Sequence, residues 1–236
     1  MIKAEFHTHT RFSQDSLLGK YAYLFMLKLR KINVIAVTDH NTIKGAVYLK
    51  PFLKKHNIDV IVGEEIFTTE GEIIGLFLKD EIPYGMTPEK TVTAIKNQGG
   101  IVYIPHPYDE KRYKTVLKEK AILNLKDKID LMEIHNGRNI SPRYSAKQKE
   151  IADKYNITPI VGSDAHTIAE LGRNYVVMQE FSNSDDFLQK IKSAQFFTKK
   201  SIKVSHHITK AVRLIKLATA GKFNEICRII KRKFKS

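Results

Sequence analysis

Six short apolar runs in this chain lead into residues that bind metals. Ala4-Glu5-Phe6 precedes His7 and His9, and Val34-Ile35-Ala36-Val37 precedes Asp39 and His40. Val60-Ile61-Val62 precedes Glu64 and Glu65, and Ile101-Val102-Tyr103-Ile104 precedes His106. Leu131-Met132 runs into Glu133, Ile134 and His135, and Pro159-Ile160-Val161 into Asp164 and His166. One such run is unremarkable. Six describe parallel strands whose carboxyl ends share one mouth, where β/α folds gather their ligand groups.

The spacing within each run has its own chemistry. In an extended segment alternate side chains share a face, so His7 and His9 point the same way. Neutral imidazole suits zinc and the late first-row metals. Asp164-Ala165-His166 repeats the spacing with one hard oxygen donor, after the small pair Gly162-Ser163 that permits close backbone approach. Asp39 and His40 are adjacent, so one of them faces the mouth. His40 is the favoured ligand, with Asp39 as its partner or as a charge stabiliser. By the same alternation, Glu65 competes with Glu64 for the inward position, as a bridging carboxylate.

The elements that must carry these residues alternate. Residues 2–7, 34–38, 58–66, 73–78, 101–105, 130–135, 158–162 and 174–178 read as strands. Residues 21–31, 43–56, 111–126, 143–155 and 184–194 read as helices, with an extended piece near Phe196-Phe197. A further helix starts with Thr87 as N-cap and Pro88 at the first helical position, and closes at Gly99-Gly100. This pattern predicts parallel β/α units.

Read together, several motifs occur in order. They are His7-Thr8-His9-Thr10, Ser13, Asp15, Val37-Thr38-Asp39-His40-Asn41-Thr42, Gly63-Glu64-Glu65, Pro105-His106-Pro107 and Gly162-Ser163-Asp164-Ala165-His166-Thr167. The chain resembles the polymerase and histidinol phosphatase (PHP) family from His7 to about Arg173. That resemblance implies an α/β fold, a distorted (β/α)7 TIM-like barrel with its metal site at the C-terminal strand ends. It also implies two or three divalent metal ions, usually Zn, Mn or Fe, and phosphoester hydrolysis. Carried over by motif, His7, His9, Glu65 and Asp164 would hold one metal, and Asp15, His40 and His166 another. Glu65 and His106 would contribute to a third. The family usually places a further His after a Gly in the strand following the Glu motif, whereas here Gly71 is followed by Glu72. Glu72 is the candidate ligand in its place.

The expected chemistry is hydrolysis of a phosphoester by a metal-activated hydroxide. Two cations about 3.5–4 Å apart bridge a water and lower its pKa. Asp39 and His166 are the candidate catalytic residues. Arg11, Arg138 and Arg173 stand beside the metal motifs and suit two-pronged recognition of phosphate. Asn136, with Glu133, is expected to position substrate, and His135 is an alternative ligand or proton donor. His56, His206 and His207 lie outside the motifs and read as surface residues. The leading function is a phosphoesterase acting on a small phosphorylated molecule or nucleotide. A nuclease on the same metals, an amidohydrolase and a non-catalytic metal-binding regulatory module are the alternatives.

The bulk numbers frame this reading. At 236 residues and 42% hydrophobic, the chain suits one sizeable barrel. A single cysteine, Cys227, allows no internal disulfide, and neither a signal peptide nor a membrane span is read, so a cytoplasmic location is expected. The net charge is +15, yet residues 201–236 hold ten Lys/Arg against Glu225 alone. A barrel over 1–200 with a basic helical tail over 201–236 is therefore expected. Ile208, Ala211, Val212, Ile215 and Ala218 share one helical face before Gly221, and Ile226, Ile229, Ile230 and Phe234 share another after it. Three uses fit the tail: packing on the barrel or a second subunit, an anionic membrane surface, or nucleic-acid phosphates. The membrane reading places Arg228, Lys231, Arg232 and Lys235 at the lipid surface. Oligomeric state is left open.

Overall fold

A computed structural model describes residues 1–139, 141–200, 203–226 and 229. Strands and helices follow in the order β1 (Ile2–Glu5), α1 (Lys20–Arg30), β2 (Val34–Val37), α2 (Lys44–Lys54), β3 (Asp59–Thr68), β4 (Gly71–Leu76) and α3 (Pro88–Asn97). Then come β5 (Ile101–Ile104), α4 (Glu119–Leu125), β6 (Leu131–Asn136), α5 (Pro142–Lys154), β7 (Thr158–Gly162), β8 (Tyr175–Met178), α6 (Ser184–Lys190), β9 (Gln195–Phe197) and α7 (Lys203–Thr219). The strands form one sheet in the order β7-β6-β5-β4-β3-β2-β1-β8-β9.

The sheet curls into a nearly closed barrel. Its seam lies just past the ends of β1 and β7, where Thr8 bridges Ala165 in parallel. The His9 amide donates to the Ala165 carbonyl at 2.9 Å, and the Ala165 amide to the His7 carbonyl at 3.3 Å. Side chains alternate as a pleated strand requires. Val34 and Ala36 of β2 join one core cluster with Phe6, Ile74, Leu76, Tyr103 and Ile160. Ile35 and Val37 join another with Tyr23, Leu27, Leu49 and Leu53 of α1 and α2. A third cluster packs Val92, Ile95, Ile122 and Ile151 of α3, α4 and α5 against the remaining strands.

Three expectations change. First, the units are not all parallel, because β4 runs antiparallel to both β3 and β5. The β3–β4 hairpin turns at the mouth, so the first residues of β4 lie there too. Second, residues 111–126 are not one helix. A short 3-10 turn spans Glu110–Arg112, and α4 begins only at Glu119. Asp109 caps that turn by accepting from the Lys111 amide. The following segment spends backbone groups on the hairpin instead: the Glu72 amide donates to the Thr115 carbonyl and the Lys118 amide to the Glu70 carbonyl.

Third, α7 docks by an unexpected face. Ser205, Thr209, Val212 and Leu217 are buried, while Ile208, Ala211, Ile215 and Ala218 are exposed. Polar contacts described below hold the helix beside buried Val212 and Leu217. Of the second tail segment, Cys227, Arg228, Ile230 and residues 231–236, Phe234 included, lie outside the described residues. Among the described residues, no helix is long and apolar enough to cross a membrane.

Candidate metal centre

His7 and His9 leave β1 on one face, with ring centroids 5.2 Å apart. His7 Nε2 lies 3.6 Å from both Glu65 Oε1 and Asp164 Oδ1. His9 Nε2 lies 3.4 Å from both Glu65 Oε2 and Asp164 Oδ1. Four donors about 2.1 Å from one tetrahedral ion sit about 3.4 Å from each other. All four residues are buried, and neither Nε2 has a hydrogen-bond partner. The other nitrogens are engaged: His7 Nδ1 with Glu133 Oε1 at 3.0 Å, and His9 Nδ1 with Ser13 Oγ at 3.1 Å. Those partners fix the tautomer and leave each Nε2 lone pair facing its neighbours. The donor set fits a divalent cation.

A second set adjoins the first. Asp15 Oδ1 lies 3.3 Å from His166 Nε2 and 3.7 Å from His40 Nε2. Asp15 Oδ1 and His166 Nε2 also lack hydrogen-bond partners. The His9 ring stacks on His166 at 4.0 Å, which brings donors of both sets within 4.8 Å of one another. On the far side, His106 Nε2 lies 3.0 Å from Glu65 Oε1 and 3.6 Å from Glu72 Oε2. His40 Nδ1 lies 3.7 Å from Glu72 Oε1. Glu72, at the start of β4, thus enters the cluster where a histidine was expected. Glu65 stands between all three groups. Glu64 faces away and accepts the Ile82 amide at 2.9 Å. His106 and Asp164 adopt positive φ values of 32° and 53°. Left-handed backbone at two non-glycine donors is strain that the surrounding fold must hold in place.

The electrostatics follow from this crowding. Burial alone would strip the charge from His7, but Asp164, Glu133 and Glu65 outweigh it and raise its pKa well above the ordinary value. Burial opposes ionisation of Asp164 too, yet Arg112 and His7 hold it well below the usual carboxylate range. Glu72 goes the other way: burial, then the charge of Glu65, pushes it up to about 8. Two carboxylates forced together is a repulsion that a bound cation relieves.

Behind the donors lies a supporting layer. Asp39 is buried away from the donors, its oxygens taken by the Thr10 amide (2.7 Å), the Thr10 hydroxyl (2.6 Å) and the Ser13 hydroxyl (2.6 Å). Its expected catalytic place becomes a holding one: through Ser13 it orients His9. Gly45 of α2 makes room, since a Cβ there would lie 1.9 Å from Asp39 Oδ2. On β6 a bulge between Glu133 and His135 shifts the register. The extra residue re-phases the strand, so Glu133 and Asn136 both face inward although three positions apart. Glu133 accepts from the Tyr103 hydroxyl (2.5 Å), the His106 amide (2.6 Å) and Asn136 Nδ2 (2.8 Å). His135 is turned aside, with Nδ1 3.3 Å from Ser145 Oγ.

The four expected substrate residues part company. Arg11 is exposed, its guanidinium 5.1 Å above the Tyr48 ring. Arg173 donates to the Lys200 carbonyl at 3.0 Å. Neither lines the large cleft over the donors. Asn136 supports Glu133 from inside. Arg138 lines the cleft, but its nitrogens are bonded to Glu170, Thr209 and Ser205, with Nη1 3.1 Å from His166 Nδ1.

The arginine that sequence reasoning missed is Arg112. Its Nη2 lies 2.6 Å from Asp164 Oδ2 and its Nε 3.2 Å from Asp109 Oδ2. Asp109 three residues before Arg112, in the loop after a His-bearing strand, was the available signal. The cleft is about 1020 Å³ and is walled by Lys111, Arg112 and Lys114 on one side. His206, His207, Lys210 and Arg213 of α7 wall the other; His207 is exposed, as a surface residue should be, and His206 is half-buried.

Comparison with known proteins bears on this centre. Residues 142–196 match the family model described as PHP-associated (PHP_C). Two uncharacterized proteins of Methanocaldococcus jannaschii are similar in sequence. One is 45% identical over 117 residues, covering 45% of this chain and 68% of its own length. The other is 34% identical over 214 residues, covering 85% and 84%. A two-domain protein from Bacteroides vulgatus, described as containing a predicted PHP-like metal-dependent phosphoesterase, superposes with a TM-score of 0.67 at 18% identity. That match covers 84% of this chain and 64% of the Bacteroides chain, and at such identity it speaks for the fold. The chain carries a PHP-associated segment and shares the fold of PHP-like proteins. Within a PHP barrel the donors sit where the strands end, and the PHP_C segment supplies α5, β7, Asp164, His166 and β8.

Proposed function

We propose that this protein is a metal-dependent phosphoesterase that releases phosphate from a small phosphorylated molecule. The observation that carries this reading is Glu65: one buried carboxylate shared by adjacent sets of inward-facing donors at the floor of a cationic cleft. Such a carboxylate suits two cations held side by side. His7, His9, Glu65 and Asp164 would hold the first, Asp15, His40 and His166 the second, and His106 with Glu72 any third.

Bound divalent cations supply a water of lowered pKa and neutralise charge that builds on the phosphoryl oxygens. The chain's own groups do the rest. Arg112 fixes Asp164 and brings positive charge to the cleft, where it favours a dianionic ester over a neutral one. Lys111, Lys114, Lys210 and Arg213 draw an anionic substrate in. His166 acts as a donor, since its Nδ1 is already engaged by the Asp164 carbonyl at 2.9 Å.

The test combines elemental analysis of purified protein with phosphate release from a panel of phosphomonoesters and a single-stranded oligonucleotide. The double variant His9→Ala/Asp164→Asn is expected to fold, to lose its metal and to lose activity by at least a hundredfold. Full turnover by that variant would overturn the proposal. Cleavage of the oligonucleotide alone would replace it with a nuclease.

A further inference from the structure

We infer that α7, a helix outside the barrel, positions the second donor set, and that Lys216 is the positioning residue. This rests on the metal-dependent reading above. Lys216 Nζ donates to the carbonyls of Arg11, Ser13 and Ser16, each at 2.7 Å. These three bonds use every proton of the ammonium. They cage the short segment that carries Asp15, which has no helix or strand of its own.

The same helix reaches the other side of the set. Arg138 Nη2 donates to Thr209 Oγ1 at 2.5 Å and to the Ser205 carbonyl at 3.3 Å, while its Nε pairs with Glu170 Oε1 at 3.1 Å, and Glu170 Oε2 in turn accepts the His166 amide at 3.1 Å. The Thr167 and Ser205 hydroxyls meet at 3.2 Å beside it. Thus α7 touches the supports of both Asp15 and His166. The first set needs no such clasp, since His7, His9 and Asp164 lie just past the ends of β1 and β7, Glu65 lies within β3, and all four are at most 1% exposed. Asp15 and His40 are 15% and 17% exposed. The polar side of α7 has its explanation here: half-buried Lys216 and buried Thr209 and Ser205 are the clasp, beside buried Val212 and Leu217, while most of the apolar stripe is left outside.

Removing the ammonium orphans three carbonyls, and the Asp15 segment must rearrange to satisfy them. Equilibrium dialysis against Mn²⁺, with metal counted per chain, reads the effect. Lys216→Met is expected to weaken the last equivalent at least tenfold while the first is unchanged, and Lys216→Arg to recover most of the loss. Circular dichroism of the stripped variants establishes that they are folded. If Lys216→Met does not fold, Thr209→Val carries the same test from the His166 side. An unchanged isotherm, or equal weakening of every equivalent, overturns the inference. A wild-type chain that takes up no Mn²⁺ overturns the metal reading itself and this inference with it.

Discussion

Glu5 shows how far the burial of carboxylates around this barrel extends. It lies beneath the donors, fully buried, accepting the Gly172 amide. Burial, only partly offset by Ser163, Gly172 and Arg30, pushes its pKa up to about 8. The unfolded side chain gives up its proton near 4.5, so between that pH and about 8 the folded state holds the extra proton. Stability from this group is complete below pH 4.5, declines as pH rises and is lost above about 8. Glu5→Gln should therefore flatten the fall of melting temperature across that window. Parallel melting curves with an undiminished slope in the variant would show that another group is responsible. At this scale the candidate donors could be named because several His and carboxylate motifs recur in order, and it was the family resemblance that added Asp15 and Glu72, which stand at no strand's carboxyl end. Arg112 was overlooked, because in a lysine-rich stretch its one local mark is Asp109 three residues earlier, and nothing in the sequence marks the contact with the distant Asp164 that places it.

Strands and helices were legible where a period exists. The ends of β1, β2, β5 and β7 and the Thr87-Pro88 start of α3 follow from alternation and capping. What periodicity could not reveal is direction and phase. The reversal of β4 rests on hydrogen bonding to β3 and β5, and the β6 bulge on a one-residue slip against β7. The loop before α4 failed as a helix because its backbone serves the hairpin. Close approach is another element-scale fact. A Cβ on Gly162 of β7 would lie 2.3 Å from Glu133 Oε1 and 2.7 Å from His7 Cβ. Gly162→Ala should destabilise the fold by about 1–3 kcal/mol, as overpacking of a filled core does. It should also free His7 from Glu133, so metal uptake falls along with stability. Urea titration and metal counting on the same sample check both, and an alanine variant with wild-type values in each would count against this packing.

For the whole molecule, charge is distributed with a purpose that its sum of +15 conceals. The donors bring carboxylates to the floor of the cleft, and the lysines and arginines of the 110–116 segment and α7 stand above them. Under the proposed function, these cations would steer an anionic substrate inward. KM should rise several-fold between 50 mM and 500 mM salt while kcat holds, since the Debye length shrinks from about 14 to 4 Å. A salt-independent KM would mean that the walls play no part in capture. The sequence allowed packing of the basic tail on the barrel but not the face used, because serine, threonine and lysine dock α7 beside Val212 and Leu217, and a search for an apolar stripe misses them.

The seam of the barrel has a consequence in time. Thr8 meets Ala165, so the first strand end can close only against a segment made 157 residues later. A ribosome releasing this chain exposes His7 and His9 long before Asp164 and His166 exist. Until then the nascent N-terminal half offers two imidazoles to any stray cation and has an open edge beside them. Closure of the seam is therefore a late event, and a chain stalled before residue 165 lacks it.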